Sequence, residues 1–253
     1  MFVKFLIIPL VSFLFMDIAS LSPPLDARLE TRNAQNVKFT GDCEFKVDEY
    51  DAAVMWNDLR YLLNEDSETK MLERGEIIGQ VVFKVNGNVC LGYRMQNGDA
   101  TWAKIGTPIY KVKGYSERFR IFLGDELYEA SRILNAKKIG DFYDFADQVK
   151  RISIEYPIEN SPSINFTKEE TEQFIHAFLE QDYVPFSDIY ESLSLESTQY
   201  FLRVHFHDQT VTVIPYWIEE NAFTTGYGND LIKKVITSNA EKLEALYRQN
   251  HRQ

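Results

Sequence analysis

The chain has 253 residues, 45% of them hydrophobic and 14% aromatic, which is enough to fill a core and excludes disorder for its bulk. The formal net charge of −11 opposes binding to nucleic acid and to anionic membrane surfaces, which carry the same sign. An acidic balance fits a basic partner, a bound cation or simple solubility.

The first twenty residues have the order of a secretory signal peptide. Lys4 precedes an apolar run of 12 residues, Phe5 to Met16, and Ala19 and Ser20 close the segment. The run is short of the roughly 20 residues that cross a bilayer as a helix, so the expectation is a removable address and not a stable membrane span. Residues 21–35 carry Pro23 and Pro24 and read as a linker. No cysteine follows the apolar run, so this site has no acceptor for a lipoprotein-type attachment.

Residues 36–157 read as a β-rich, antiparallel domain. Val37 to Val47 suggest a short strand pair or a strand with a bend, and Ala53 to Leu63 allow a buried strand or a short helix, the strand being preferred. Ile77 to Val85 form the next strand, and Asn86-Gly87 matches the two-residue hairpin turn, as does Asn97-Gly98. Ala100 to Ile105 and Pro108 to Val112 are expected strands broken at Gly106, and Arg118 to Leu123 turns at Gly124-Asp125 into Leu127-Tyr128. Residues 137–148, with Phe142, Phe145 and Ala146 among acids, suggest one or two helical turns. Ile152, Ile154 and Tyr156 alternate against polar neighbours as a strand with one wet face. Pro157 to Ser163 holds two prolines and two serines and is the expected internal boundary.

Residues 163–248 then read as a smaller helix–β-hairpin–helix domain, so the fold class is α+β. Thr167 and Glu170 form a capping box ahead of Phe174, Ile175, Phe178 and Leu179. Tyr200 to His207 and Thr210 to Trp217 are alternating strands joined at Asp208-Gln209. Asn229 or Asp230 caps a last helix whose Ile232, Val235, Ile236, Leu243 and Leu246 share one side.

Cys43 and Cys90 are the only cysteines, and in an oxidising compartment a lone pair reads as one structural disulfide. It would close a loop of 46 residues and contribute about 3–4 kcal/mol through chain entropy. Two buried thiols are the alternative. The sequon Asn165-Phe166-Thr167 is an acceptor only in a eukaryotic secretory pathway.

Gly79-Gln-Val-Val-Phe-Lys-Val85, Asn97-Gly-Asp-Ala-Thr-Trp102 and Gly106-Thr-Pro-Ile-Tyr-Lys-Val-Lys-Gly-Tyr115 together resemble a block found in uncharacterised secreted proteins and lipoproteins of Bacillus-like bacteria. The resemblance covers about a sixth of the chain. It implies an extracytoplasmic location and a β-rich fold, and carries over no catalytic residue.

Candidate chemistry is sparse. His205 and His207 lie two apart on a strand and would share a face, which could begin a zinc or copper site, but Arg203 projects on that face and opposes a cation. His176 and His251 are the other imidazoles. Glu169-Glu170, Glu219-Glu220 and Asp141 with Asp144 are paired carboxylates of the kind a glycosidase needs, although acids in a first helical turn also complement the helix dipole. Asp48, Asp51 and Asp66 do not match a calcium loop, and Gly75 to Gly79 and Gly226-Tyr-Gly228 match no phosphate-binding pattern and read as turns. There is no G-x-S-x-G elbow. Tyr216, Trp217, Phe223 and Tyr227 would form a contact patch for a protein or glycan if exposed, and core if not.

The reading is therefore an extracytoplasmic, non-enzymatic binding protein of a bacterial cell envelope with no cofactor. Its partner would be a protein or an envelope ligand. A secreted hydrolase of wall glycan or peptide, and an acidic inhibitor of a basic partner, are the alternatives.

Overall fold

Period-two alternation is strongest at Tyr200, Leu202, Val204 and Phe206, and those four side chains are all buried while Phe201, Arg203 and His205 between them are not. In the computed structural model, which describes residues 51–133, 136–141 and 143–250, such strands build two sheets within one compact unit. The protein is a strand-rich mixed α/β fold with few helices. The expected signal segment, the linker, the strand pair at 37–47 and Cys43 lie outside the described residues.

The first sheet has eight strands: β1 (Ala53–Trp56), β2 (Leu59–Leu63), β3 (Arg74–Gln80), β4 (Phe83–Lys84), β5 (Asp99–Ala100), β6 (Pro108–Val112), β7 (Arg120–Leu123) and β8 (Glu126–Ile133). Their spatial order is β3-β6-β7-β8-β2-β1-β5-β4. Pairing is antiparallel throughout except for β4 with β5, which run parallel. Residues 53–63, expected as one strand, are a hairpin. Asn57 and Asp58 both take positive φ (49° and 61°), as a tight hairpin turn requires, and Asn tolerates this without glycine. Gly124-Asp125 makes the expected turn between β7 and β8, with Gly124 at φ 61°.

Two expected features differ. Asn86-Gly87 turns, but no hairpin partner follows it. Val85 and Asn86 instead donate backbone hydrogen bonds to Ala100 and Thr101, extending the parallel β4–β5 contact. The expected strand from Ala100 to Ile105 stops at Ala100, because the buried Thr101 hydroxyl receives the Ala53 amide and the chain turns away.

The second sheet holds β9 (Val149–Glu155), β10 (Ser163–Asn165), β11 (Gln199–Phe206), β12 (Val211–Trp217), β13 (Ala222–Phe223) and β14 (Gly226–Tyr227), in the order β10-β9-β11-β12-β13-β14. Strand β9 pairs with both β10 and β11, so Pro157 to Ser163 connects two neighbouring strands of this sheet. The change of sheet comes earlier, before Val149. There Ile139–Asp141 forms a single 3-10 turn within 137–148, where one or two helical turns are expected. Phe142, named in that expectation, is outside the described residues.

Helices α1 (Lys168–Leu179), α2 (Phe186–Tyr190) and α3 (Asp230–Asn250) complete the fold. The capping box at Thr167 and Glu170 is present, and Asn229 caps α3 by accepting the Ile232 amide at 3.0 Å. The α3 residues Ile232, Val235, Ile236 and Leu243 are buried and Leu246 is half-buried. The four buried ones join Phe174, Phe178, Leu202 and Ile214 in one cluster that also contains Val54, Tyr61 and Ile121 of the first sheet. Phe119 centres the join, with ring contacts to Phe145 at 5.7 Å and to Tyr115 and Phe206 at 6.0 Å. No helix among the described residues is long and apolar enough to cross a membrane.

Gly75 and Gly79, expected in turns, lie inside β3. Gly79 has a packing reason: a Cβ built there would come within 2.1 Å of Trp56 Cη2. The indole is buried and cannot swing aside. Gly79→Ala is expected to destabilise the fold by about 1–3 kcal/mol, read as a lower urea midpoint at unchanged m-value.

Candidate functional site

Arg120 on β7 and Glu129 on β8 are direct cross-strand partners in the register of the first sheet. The Arg120 side chain is 0% exposed and Glu129 only 14%. Arg120 Nε donates to Glu129 Oε1 at 2.8 Å, and its terminal nitrogens donate to Thr210 Oγ1 at 2.8 Å and Thr212 Oγ1 at 3.1 Å of the second sheet. Rings of Tyr115, Phe119 and Phe206 surround the guanidinium at 4.6, 4.5 and 4.1 Å from its carbon to their centroids. Asp208 follows at 4.0 Å from Arg120. It accepts from the Tyr115 phenol at 2.5 Å and from Thr210 Oγ1 at 2.6 Å. Burial works against its charge, yet these bonds and Arg120 hold its carboxyl below the usual aspartate range. Burial, then the bond to Asp208, pushes the Tyr115 phenol up, so it remains a donor.

Over this cluster opens a cleft of about 580 Å³. Strands β2 and β8 supply Arg60, Glu129 and Ser131 to its lining. Strand β12 supplies Thr212, Val213 and Pro215. The segment before and into α2 contributes Tyr183 and Phe186, and the turn between β13 and β14 contributes Thr225. The loop after β2 spans the two sheets at the rim. Asn64 Nδ2 donates to the Val211 carbonyl at 2.8 Å, Ser67 Oγ accepts the Val211 amide at 2.9 Å, and Asp66 pairs with Arg203 at 2.5 Å.

Glu129 presents itself to the cleft already oriented, since Thr212 Oγ1 lies 2.9 and 3.0 Å from its two oxygens. Tyr143, buried beside it, has its phenol pushed up by burial first, then by the charge of Glu129. Thr225 Oγ1 lies beside that same phenol, is buried, and makes no hydrogen bond of normal geometry among the described residues. None of these groups stood out in the sequence. The one signal available was the polar pair Thr210 and Thr212 on an otherwise apolar inward face.

The residues singled out in the sequence lie elsewhere. His205 Nε2 is 3.2 Å from Ser153 Oγ, whereas His207 is exposed beyond the end of β11, after a register shift at His205/Phe206. Burial, then Arg151, Arg203 and Lys150, lowers the His205 pKa to about 4. No group of three His, Cys, Asp or Glu side chains among the described residues could hold a metal. His176 ends α1, and His251 is outside the described residues.

The paired carboxylates hold backbone, apart from Glu169, which accepts from the Gln173 side chain at 3.1 Å. Glu170 closes the capping box, Asp141 accepts the Lys137 and Lys138 amides, Asp144 accepts the Ser116 amide, and Glu219 and Glu220 accept from Thr198 and Ser194. The expected contact patch is divided. Tyr216 and Phe223 are fully buried and pack at 4.9 Å, because the alternation of β12 turns Tyr216 inward and Phe223 of β13 is its register partner. Trp217 stacks on Phe186 at 5.7 Å, and Tyr227 is 37% exposed with its phenol 2.9 Å from Ser192 Oγ. Only these last two face outward.

Removing Arg120 would leave Glu129 and Asp208 without their common cation. Arg120→Met is expected to cost about 3–5 kcal/mol in denaturant unfolding at neutral pH. A second expectation concerns His205. Its folded pKa lies below the value of 6.5 expected when unfolded, so unfolding takes up a proton between pH 6.5 and about 4, and stability falls as pH drops through that window. Melting temperatures of His205→Gln should decline less than wild type there. Equal slopes would exclude a half-buried imidazole held neutral by the fold. No family model, curated protein or solved structure matches the chain, so the chemistry of the cleft itself carries the functional reading.

Proposed function

We propose that this chain is an extracytoplasmic, non-enzymatic binding protein of a bacterial cell envelope that takes a small ligand into the cleft between its two sheets. The β-rich part of the α+β fold supplies one wall through β2 and β8, and the helix–hairpin–helix part supplies the other through β12. The supporting observation is the cleft. Its volume of about 580 Å³ falls within the range of small-molecule sites, and its floor offers an oriented carboxylate, phenols and a buried hydroxyl between apolar walls. The expected carboxylate pairs are absent from its lining.

Export by residues 1–20, the likeness to secreted proteins of Bacillus-like bacteria and a Cys43–Cys90 disulfide belong to the same reading. In support of the disulfide, no cysteine among the described residues is free. The acidic charge favours a protein or envelope ligand over nucleic acid.

Mass spectrometry of the protein from its native host tests this. Under denaturing conditions the mass should begin near Leu21 and rise by about 2 Da on reduction. Under native conditions a small-molecule adduct should accompany the wild-type protein and be missing from Ser131→Phe, whose ring fills the cleft. Turnover of labelled wall material without a retained adduct would favour the hydrolase instead.

A further inference from the structure

Two guanidiniums lie behind or beside the cleft, and each is shared by two carboxylates. Arg120 serves Glu129 and Asp208, and Arg203 serves Glu155 at 2.6 Å and Asp66 at 2.5 Å. Each group therefore keeps one net negative charge. Among the described residues the cation of the lining is Arg60, 3.7 Å from Asp51, and Glu65 adds a further negative charge there. Glu129 Oε1 receives Arg120 and lies 2.9 Å from the Thr212 hydroxyl, whereas among the described residues Oε2 has the Thr212 hydroxyl alone. Thr225 Oγ1 lies beside the same Tyr143 phenol that senses the Glu129 charge, and it lacks a full hydrogen bond. A buried hydroxyl of this kind, able to donate and to accept, costs stability until a partner reaches it.

Resting on the cleft as the binding site, we infer that its ligand is a small organic cation, a protonated primary amine that donates to Glu129 and Thr225. The chemistry selects for it. An ammonium brings three donors to acceptors that are short of them, and it neutralises charge that the two guanidiniums leave over. A carboxylate or phosphate ligand would meet the same surplus as repulsion. The Phe186 and Tyr183 rings near the mouth favour a cation over a neutral molecule of equal size.

Isothermal titration of the full chain with putrescine, glucosamine and glucose tests the inference, the last two being close in shape but different in charge. Both amines should bind saturably, more weakly as salt rises, and glucose at least tenfold more weakly than glucosamine. Thr225→Val keeps the shape and removes the hydroxyl, so it should weaken amine binding about tenfold or more with the free protein's melting temperature little changed. Glu129→Gln should weaken it further if that variant folds, and the valine variant decides the matter if it does not. Glucose binding as tightly as glucosamine, with loss in Ser131→Phe, would overturn the cation and leave the cleft as the site. No saturable binding of either amine would overturn the inference outright. A native adduct in the mass spectrum that is unchanged in Ser131→Phe would overturn the cleft itself.

Discussion

The structure depends on one buried cation. Arg120 sits where the two sheets face each other, and its five donors are divided between them: Glu129 on its own sheet, Thr210 and Thr212 on the other. A guanidinium is hard to bury, and here the burial is tolerated for identifiable reasons. Its planar fork matches the acceptors on either side, and three aromatic rings replace water against its faces. Hydrophobic contact around Phe119 joins the sheets without fixing their register. The directional bonds of Arg120 do fix it, and so place the β8 wall of the cleft opposite the β12 wall.

The same division explains why the sequence was legible in part. Strands with one wet face declare themselves by alternation, and β9, β11 and β12 lie where Ile152, Tyr200 and Thr210 suggest. Both main helices carry local caps, Thr167 with Glu170 and Asn229, so their starts are written in neighbouring residues. What failed was long-range or two-sided. Asn86-Gly87 has hairpin chemistry, but Ala100 and Thr101, held in place by β1, win the backbone hydrogen bonds of Val85 and Asn86. The prolines and serines of Pro157 to Ser163 do not announce that the chain turns back to pair Ser163 with Glu155, a contact set by the two strands.

The cleft was invisible for a stricter reason. Glu129 is one of 38 acidic residues, and nothing in Tyr128-Glu129-Ala130 distinguishes it from a solvated strand position. Its significance comes from Arg120, its cross-strand neighbour, and from Thr212, which lies 83 residues further along. The residues that did look chemical, two histidines and three acidic pairs, were conspicuous by adjacency in sequence. Adjacency mainly serves local structure, and the acidic pairs are spent on caps and loop amides. Aromatic residues behaved likewise: Tyr216 and Phe223 were conspicuous as a surface and are core.

A core arranged for stability alone would not hold this cluster. One guanidinium balanced by one carboxylate already satisfies the geometry, and apolar residues of similar volume often do as well or better than a buried pair. Asp208 adds a second carboxylate at 4.0 Å, and three hydrogen-bond donations, from the Tyr115 phenol and from the Thr210 hydroxyl and amide, keep it charged. Those donors are committed to maintaining an excess of negative charge in a dry place, where electrostatic interaction is strong. The excess is carried toward solvent through Glu129, at the one point where the cluster meets the cleft. Local rules are broken most economically where a ligand repairs them. An ammonium at Glu129 would complete the balance that Arg120 leaves open, so the feature that costs the empty protein stability is the one that would make the liganded protein more stable than the free one.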